Sequence, residues 1–210
     1  MKYSVDGKTI ILADGIFPSH EVPLHMLSEA ELIVCCDGAV GKLVNHGFSP
    51  DIIVGDLDSL TTEMKRKYEN ILYFDPDQET NDLTKAVKWC VSNGKKDLVI
   101  LGATGLREDH TLGNISLLAE YSVTARVKMV TDHGILEAVK MTSAFDSFAG
   151  QQVSIFSINS STAVSSDGLR YPLNSLVLDN WWKGTLNEAT GERFTLRFTG
   201  GPLIVFRKFR

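Results

Sequence analysis

A chain of 210 residues with 43% apolar content can bury a substantial core, in one large domain or two small ones. Its formal net charge of −5 leaves no basic excess to neutralise a phosphate backbone, which excludes a general nucleic-acid binder; a polyphosphate ligand would need metal or a few placed basic groups. The three cysteines, Cys35 and Cys36 adjacent in an apolar run and Cys90 alone, form neither a zinc spacing nor a disulfide framework and point to a reducing cytoplasm. The opening MKYSVDGKTIILADG has no long apolar segment and no run approaches membrane-spanning length, so a soluble cytoplasmic chain with no membrane partner is expected.

Strand-like and helix-like segments alternate through the first part. Thr9–Ala13 (TIILA) reads as a buried strand ending at Asp14-Gly15, and Pro23–Ala30 as a helix. Leu32–Cys36 (LIVCC) is a second apolar strand, ending in Asp37-Gly38, and Ala39–His46 a helix that Gly47 can terminate. Ile52-Ile53-Val54 is a third strand, followed by helical Thr62–Tyr68, a short strand Ile71–Phe74 and an acidic loop Asp75–Glu79. Thr80 or Asn81 can cap a helix running to about Ser92 with Leu83, Val87 and Cys90 on one face. Leu98–Leu101, a Gly102–Glu108 loop, helical Asp109–Tyr121 and strand Arg126–Val130 complete the series.

Strands that are continuous apolar runs separated by helices predict a parallel sheet covered on both faces. In such sheets ligands sit outside the carboxyl ends of the strands, and those ends here carry Asp14-Gly15, Asp37-Gly38, Asp56 with Asp58, and Gly102-Ala103-Thr104-Gly105. After about Asp132 the period shortens: Ile135–Met141, Gln151–Ile158 and Phe194–Phe198 alternate, and Leu203–Phe206 closes the chain without a convincing helix between them. The expected fold is an α/β N-terminal domain with a mostly parallel, Rossmann-like three-layer arrangement over residues 1–133, followed by a smaller all-β sandwich domain over 134–210.

The chemistry centres on Asp51–Ser59, DIIVGDLDS. If the strand runs on through it, Asp56 and Asp58 point the same way, and two crowded carboxylates call for a shared cation or a proton. A hard divalent ion such as Mg²⁺ suits oxygen ligands. The plain alternative is that Asp58 or Ser59 caps the following turn or helix, and Ser59 is assigned that role. Asp77 and Glu79 read as ordinary acidic residues at a helix start; Asp82, just inside that helix, is placed to reach a metal held by Asp56 and Asp58. In Gly102–His110 the glycines allow close backbone approach to an anion and Arg107 can fork onto phosphate oxygens. The alternative there is a surface loop with a solvated arginine and Asp109 as a cap. Neither of the common glycine-rich nucleotide loops is present, nor are the GxSxG and HExxH signatures.

Taken in order, CDGAV (Cys36–Val40), GDLDS (Gly55–Ser59), DQETND (Asp77–Asp82), GATGLREDH (Gly102–His110), GLRYPL (Gly168–Leu173) and GTLNE (Gly184–Glu188) resemble the thiamin pyrophosphokinases. The resemblance spans both halves of the chain. It implies an ATP-binding catalytic α/β domain, a β-sandwich domain for thiamin binding and dimerisation, and a homodimer with active sites at the subunit interface. The implied reaction moves the pyrophosphoryl group of ATP to the hydroxyethyl oxygen of thiamin, giving thiamin diphosphate and AMP. Asp56, Asp58 and Asp82 would gather Mg²⁺ on the phosphates, with Arg107 and Asp109 around them and Asp37, Gln78 and Thr104 along the ATP site. Tyr171 would stack on thiamin, whose cationic rings suit an aromatic face, with hydrogen bonds from Ser165, Ser166 and Asn187. Where the family usually has threonine, glycine and serine, this chain has Asn81, Leu106 and Leu186. Adjacent Trp181 and Trp182 face opposite ways if in a strand and read as packing or dimer residues. Two other classes stay open on the residues: a DxD-type metal-dependent nucleotide-sugar transferase, and a non-catalytic nucleotide-binding regulatory module.

Overall fold

The computed structural model describes residues 9–210, so the stretch before Thr9, part of the opening segment read above as free of a long apolar run, lies outside the described residues. The described residues form two compact units, one running to Ile115 and taking in Thr124–Asp132, the other made of Ser116–Val123 and His133–Arg210.

In the first unit β1 (Thr9–Leu12), α1 (Glu21–Ser28), β2 (Leu32–Cys36), α2 (Val40–Asn45), β3 (Ile52–Gly55), α3 (Thr62–Lys67), β4 (Leu72–Phe74), α4 (Asp82–Ser92), β5 (Asp97–Leu101), α5 (Glu108–Tyr121) and β6 (Arg126–Val130) follow one another. The strands lie in the order β6-β5-β1-β2-β3-β4, and every pairing among them is parallel. Ile10, Ile11 and Leu12 of β1 are almost wholly shielded, as are Val99, Ile100 and Leu101 of β5, each large side chain contributing about 1.5–3 kcal/mol by leaving water. This two-sided burial is why the strands have no polar alternation. From β1 the chain steps one way through β2, β3 and β4, then returns to place β5 on the other side of β1. The carboxyl ends of β1 and β5 therefore flank the point where strand order reverses, the usual ligand crevice of such sheets.

Local signals account for the ends of the helices. His20 accepts from the Val22 N–H through Nδ1 at the start of α1, Thr61 caps α3 by accepting from Met64, and Asn81 caps α4 by accepting from Thr84. The cap of α3 is thus Thr61 rather than Ser59, because Ser59 is engaged elsewhere. A 3-10 turn over Asp37–Ala39 precedes α2, and another over Glu69–Ile71 shortens β4.

The second unit holds β7 (Gly134–Val139), β8 (Ser143–Asp146), β9 (Gln152–Ser157), β10 (Ala163–Asp167), β11 (Leu176–Val177), β12 (Asn187–Glu188), β13 (Arg193–Phe198) and β14 (Leu203–Lys208). They form two antiparallel layers, β12-β9-β14-β7 and β11-β10-β13-β8. Side chains from both layers share one core: Val153, Ile155, Leu203 and Val205 from the first, Phe145, Val164, Phe194, Leu196 and Phe198 from the second. Two details of the expectation need correcting. Parallel pairing is confined to the first unit, so the strands as a whole are mixed. The second unit is not all-β, since residues 116–123 of the α5 region group with it and Trp181–Gly184 is a 3-10 turn rather than a strand. Inside that turn Trp181 donates from Nε1 to the Ser157 carbonyl at 3.1 Å, while Trp182 is 68% exposed.

Phe194 is 1% exposed and stacks on Phe145 with ring centroids 4.9 Å apart. Phe194→Ala is expected to destabilise the protein by about 3–5 kcal/mol, read as a shift in the urea midpoint of the second unit's unfolding. A loss under about 1 kcal/mol would mean that this core does not stabilise the unit.

Candidate active site

A cavity of about 400 Å³ opens at the carboxyl edge of the parallel sheet, within the range of small-ligand sites. Ala13, Asp14 and Gly15 after β1, Cys36 and Gly38 at the end of β2, and Ala103 and Thr104 after β5 line it, together with Asn81 and Asp82 of α4 and the α5 start at Arg107 and His110. Close backbone approach shapes its floor. A Cβ on Gly15 would come 2.3 Å from the Gly102 carbonyl oxygen, so only glycine lets the β1 and β5 turns meet. Lys42 reaches the rim from α2, its Nζ 2.7 Å from Asp14 Oδ1 and bonded to the carbonyls of Asp14 and Gly15.

The acidic stretch after β3 is arranged differently from a simple strand extension. β3 ends at Gly55, and Leu57, between the two aspartates, holds a left-handed backbone at φ 63° with its side chain buried. That conformation costs a leucine about 1–2 kcal/mol. Asp56 and Asp58 therefore converge through a turn, not through strand periodicity, and the Asp58 N–H donates to Asp56 Oδ1 at 3.3 Å. With Asp37 they form a trio whose oxygens lie within 4.8 Å of one another. Asp37 is the buried member, wholly shielded from solvent. Its Oδ2 accepts from the Ser59 N–H at 3.2 Å, whereas its Oδ1 has no hydrogen-bond partner. Ser59 also donates from Oγ to Asp58 Oδ1 at 3.1 Å, which is what takes it away from helix capping.

Asp82 stands beside this trio and outside it. At the start of α4 its Oδ1 is 3.1 Å from the Nζ of Lys85, whose side chain is 3% exposed. A Cβ on Gly55 would lie 2.8 Å from Asp37 Cβ and 3.2 Å from Asp82 Oδ1, so the absence of a side chain at Gly55 admits both carboxylates to the strand end. Gln78 donates to Asp56 Oδ2 at 3.4 Å.

The charges respond accordingly. Burial pushes the Asp37 carboxyl above its ordinary range; the Ser59 amide pulls it back, and the charges of Asp82, Asp58 and Asp56 push it further up. Asp56 goes the other way, held low by the Asp58 amide first and then by Gln78. For Lys85 burial alone would lower the ammonium, but the bond and charge of Asp82, with Asp56 and Asp75, outweigh it and hold the group above its usual value. An orphaned buried carboxylate oxygen among all-oxygen donors fits a hard divalent cation.

Arg107 and Asp109 are both exposed and form a forked pair, Nε to Oδ1 at 3.1 Å and Nη2 to Oδ2 at 2.5 Å. The arginine's hydrogen bond is the largest cause holding Asp109 down to about 2. Asn114 donates to the Ala103 carbonyl at 2.8 Å and faces Asn81 at 3.4 Å, bracing the glycine loop against the start of α4.

In the second unit the four residues expected around thiamin divide by role. Ser166 Oγ accepts from the Leu173 N–H at 2.9 Å and Ser165 Oγ from the Ser175 N–H at 3.0 Å. Asn187, 5% exposed, clamps both backbone groups of Tyr171: its Oδ1 accepts from the N–H at 3.1 Å and its Nδ2 donates to the carbonyl at 2.7 Å. These three side chains bond backbone groups of a segment in which Tyr171 is 59% exposed, with the Arg170 guanidinium 5.9 Å from its ring centroid. Leu186 is 77% exposed at φ 59°. Sequence reasoning placed Asp14 at a ligand-facing strand end without giving it a role, and missed Lys85, Lys42 and Asn114. Lys85 alone left a legible signal, a lysine one turn after Asp82 on a helix whose neighbours Leu83, Ala86 and Val87 are core residues.

An acidic trio beside a cavity at the reversal point of a parallel α/β sheet, joined in the same chain to an antiparallel β unit, is the arrangement of a two-unit α/β protein whose acidic cluster suits a hard cation. Family models sharpen this: the thiamin pyrophosphokinase catalytic domain matches residues 24–149 and the thiamin pyrophosphokinase substrate-binding domain matches residues 134–206. The chain belongs to the thiamin pyrophosphokinase family, whose activity is ATP-dependent formation of thiamin diphosphate. It is similar to thiamin pyrophosphokinase 1 of Caenorhabditis elegans, 27% identical over 82% of this chain and 77% of that protein. It is also similar to the thiamine pyrophosphokinase of Bacillus subtilis, at 26% identity over 95% of this chain and 98% of the relative. In fold it matches a thiamin pyrophosphokinase family protein from Enterococcus faecalis, with a TM-score of 0.80 at 18% identity over 96% of this chain and 99% of the other.

Because Asp37 holds its proton more tightly folded than unfolded, it costs stability as pH rises from the ordinary carboxylate range through its folded-state value. Asp37→Asn is expected to raise the melting temperature of the metal-free protein by about 2–4 °C at neutral pH, with the gain fading toward acid pH. Melting curves collected across that range check this, and an unchanged or lower melting temperature at neutral pH would contradict the charge assignment.

Proposed function

We propose that this chain transfers the pyrophosphoryl group of ATP to the hydroxyethyl oxygen of thiamin with Mg²⁺, releasing AMP. Residues 1–133 form the ATP-binding catalytic domain and residues 134–210 the thiamin-binding and dimerisation domain. The observation that carries the reading is the Asp37, Asp56 and Asp58 trio with its partnerless buried oxygen, beside the cavity at the sheet's reversal point.

Asp56 and Asp58, with Asp37 or Asp82 completing the set, would hold the divalent cation. Bound there, Mg²⁺ supplies charge neutralisation on the polyphosphate, without which attack on the β-phosphorus is repelled. The chain's own groups do the rest. The Arg107–Asp109 pair engages one edge of the guanidinium and leaves Nη1 to fork onto phosphate oxygens. Thr104 and the Gly102–Gly105 loop bring backbone against the nucleotide, and Gln78, tied to Asp56, lines the same site. Asn81 keeps the capping role that the family's threonine would have, since it accepts from the Thr84 N–H at 2.9 Å. Tyr171 offers its face to the thiamin cation, and Ser165, Ser166 and Asn187 act by holding its loop. In-line attack then depends on orientation more than on a strong base.

A homodimer with interface active sites is part of this reading by resemblance to the family, and Trp182 and Leu186 are exposed apolar residues of the second unit that such an interface could cover. The three cysteines, buried and unbridged, support a reducing cytoplasmic setting.

Incubation with ATP, MgCl₂ and thiamin should yield AMP and thiamin diphosphate in equal amounts, and none with EDTA. ADP as product, or a glycosylated product from a nucleotide sugar, would sink the reading; nucleotide binding without turnover would favour a regulatory module. Asp56→Asn and Asp58→Asn are each expected to cut kcat by about a thousandfold in a protein with native circular dichroism. Normal AMP release from either variant would refute the metal assignment. Tyr171→Ala should raise KM for thiamin about tenfold with kcat little changed and Tyr171→Phe near wild type; a kcat loss without a KM change would remove Tyr171 from the thiamin site.

A further inference from the structure

Lysine is among the residues least often buried, and on a helix surface its stem lies along apolar neighbours while the ammonium reaches water. Lys85 does the opposite. Its side chain is 3% exposed, while that of Asp82, whose Oδ1 it bonds at 3.1 Å, is 35% exposed, so the lysine lies on the core side of the pair. Asp82 and Asp37 meet at the backbone of Gly55, where a Cβ would stand 3.2 Å from Asp82 Oδ1 and 2.8 Å from Asp37 Cβ. Asp37 has a fully buried oxygen with no partner and lies in the trio with Asp56 and Asp58. Two further cations at the cavity pair with carboxylates of their own, Lys42 with Asp14 and Arg107 with Asp109. Lys88, further along α4, lies 3.7 Å from Asp77.

We propose that Lys85 is the internal counter-ion of the carboxylate cluster. It is a positioning residue that fixes Asp82 and offsets the cluster's charge in the metal-free protein, so that the divalent cation is recruited with the nucleotide rather than alone. This rests on the metal reading of the trio given above. The physical argument is competition. A fixed positive charge beside a metal position repels an incoming cation, so free metal binds the acidic cluster less tightly than its carboxylates would otherwise allow. ATP, arriving with its own negative charge, restores the balance.

The test is Mn²⁺ binding without nucleotide, followed by titration calorimetry, on wild type, Lys85→Met, Lys85→Gln and Lys85→Arg. Lys85→Gln retains a donor for Asp82 without the charge and guards against misfolding of the methionine variant. Both neutral variants are expected to bind Mn²⁺ about tenfold more tightly than wild type, and their metal-free melting temperatures to fall. Lys85→Arg should restore wild-type Mn²⁺ affinity. A purely structural lysine would leave Mn²⁺ affinity alone or weaken it; unchanged or weaker binding in the neutral variants overturns the proposal and leaves the metal reading intact. Failure of wild type and every variant to bind Mn²⁺, even with ATP present, removes the metal reading itself, and the role of Lys85 with it.

Discussion

Carboxylates crowd the backbone around Gly55: Asp37 and Asp82 come in from β2's end and from α4, while Asp56 and Asp58 follow in the chain itself. Like charges this close cannot all be ionised without compensation. The fold supplies some of it in the Ser59 and Asp58 amides and in the buried Lys85 ammonium, and leaves Asp37 Oδ1 uncompensated. Much of the first unit's detail serves this arrangement. Gly55 omits a side chain, Leu57 accepts a left-handed backbone, and Thr61 takes over a cap that Ser59 no longer provides.

The compensation is incomplete, since Asp37 Oδ1 is left without a hydrogen-bond partner. A group held away from its ordinary ionisation stores free energy that a ligand of opposite charge can recover. The cost is tolerable because the surrounding strands are among the most deeply buried elements of the chain, with β1, β2, β3 and β5 shielded on both faces. In the second unit the equivalent economy is polar rather than ionic. Buried Ser166 and Asn187 satisfy backbone groups of a loop, and by doing so hold a large aromatic ring in the open.

Local pattern made the larger elements legible. LIVCC and LVIL can only be covered strands, and the run of Leu83, Val87 and Cys90 marks one face of α4. The switch to alternation after Asp132 announced the antiparallel unit, although the short β8, β10, β11 and β12 escaped notice because few residues each leave no period to read. The Trp181-Trp182 pair misled for a related reason: aromatic residues favour strands on average, and here a cap from Asn180 turned them into a 3-10 segment. Asp56 and Asp58 were found by chemistry, yet for a geometric reason that does not hold, since a turn and not the strand brings them together.

Sequence alone determined which residue types stand at the ends of the strands, and with the ordered motifs that was enough to identify the family. Only the tertiary structure decided which carboxylates meet. It set Asp37 beside Asp56 and Asp58, paired Asp82 with Lys85, and bonded Ser165, Ser166 and Asn187 to backbone groups of the segment around Tyr171. The physical reason is that strand and helix periods are local and written in adjacent residues. Charge crowding and desolvation depend on approaches across the sheet, between residues as far apart as Asp37 and Asp82, which no local pattern records.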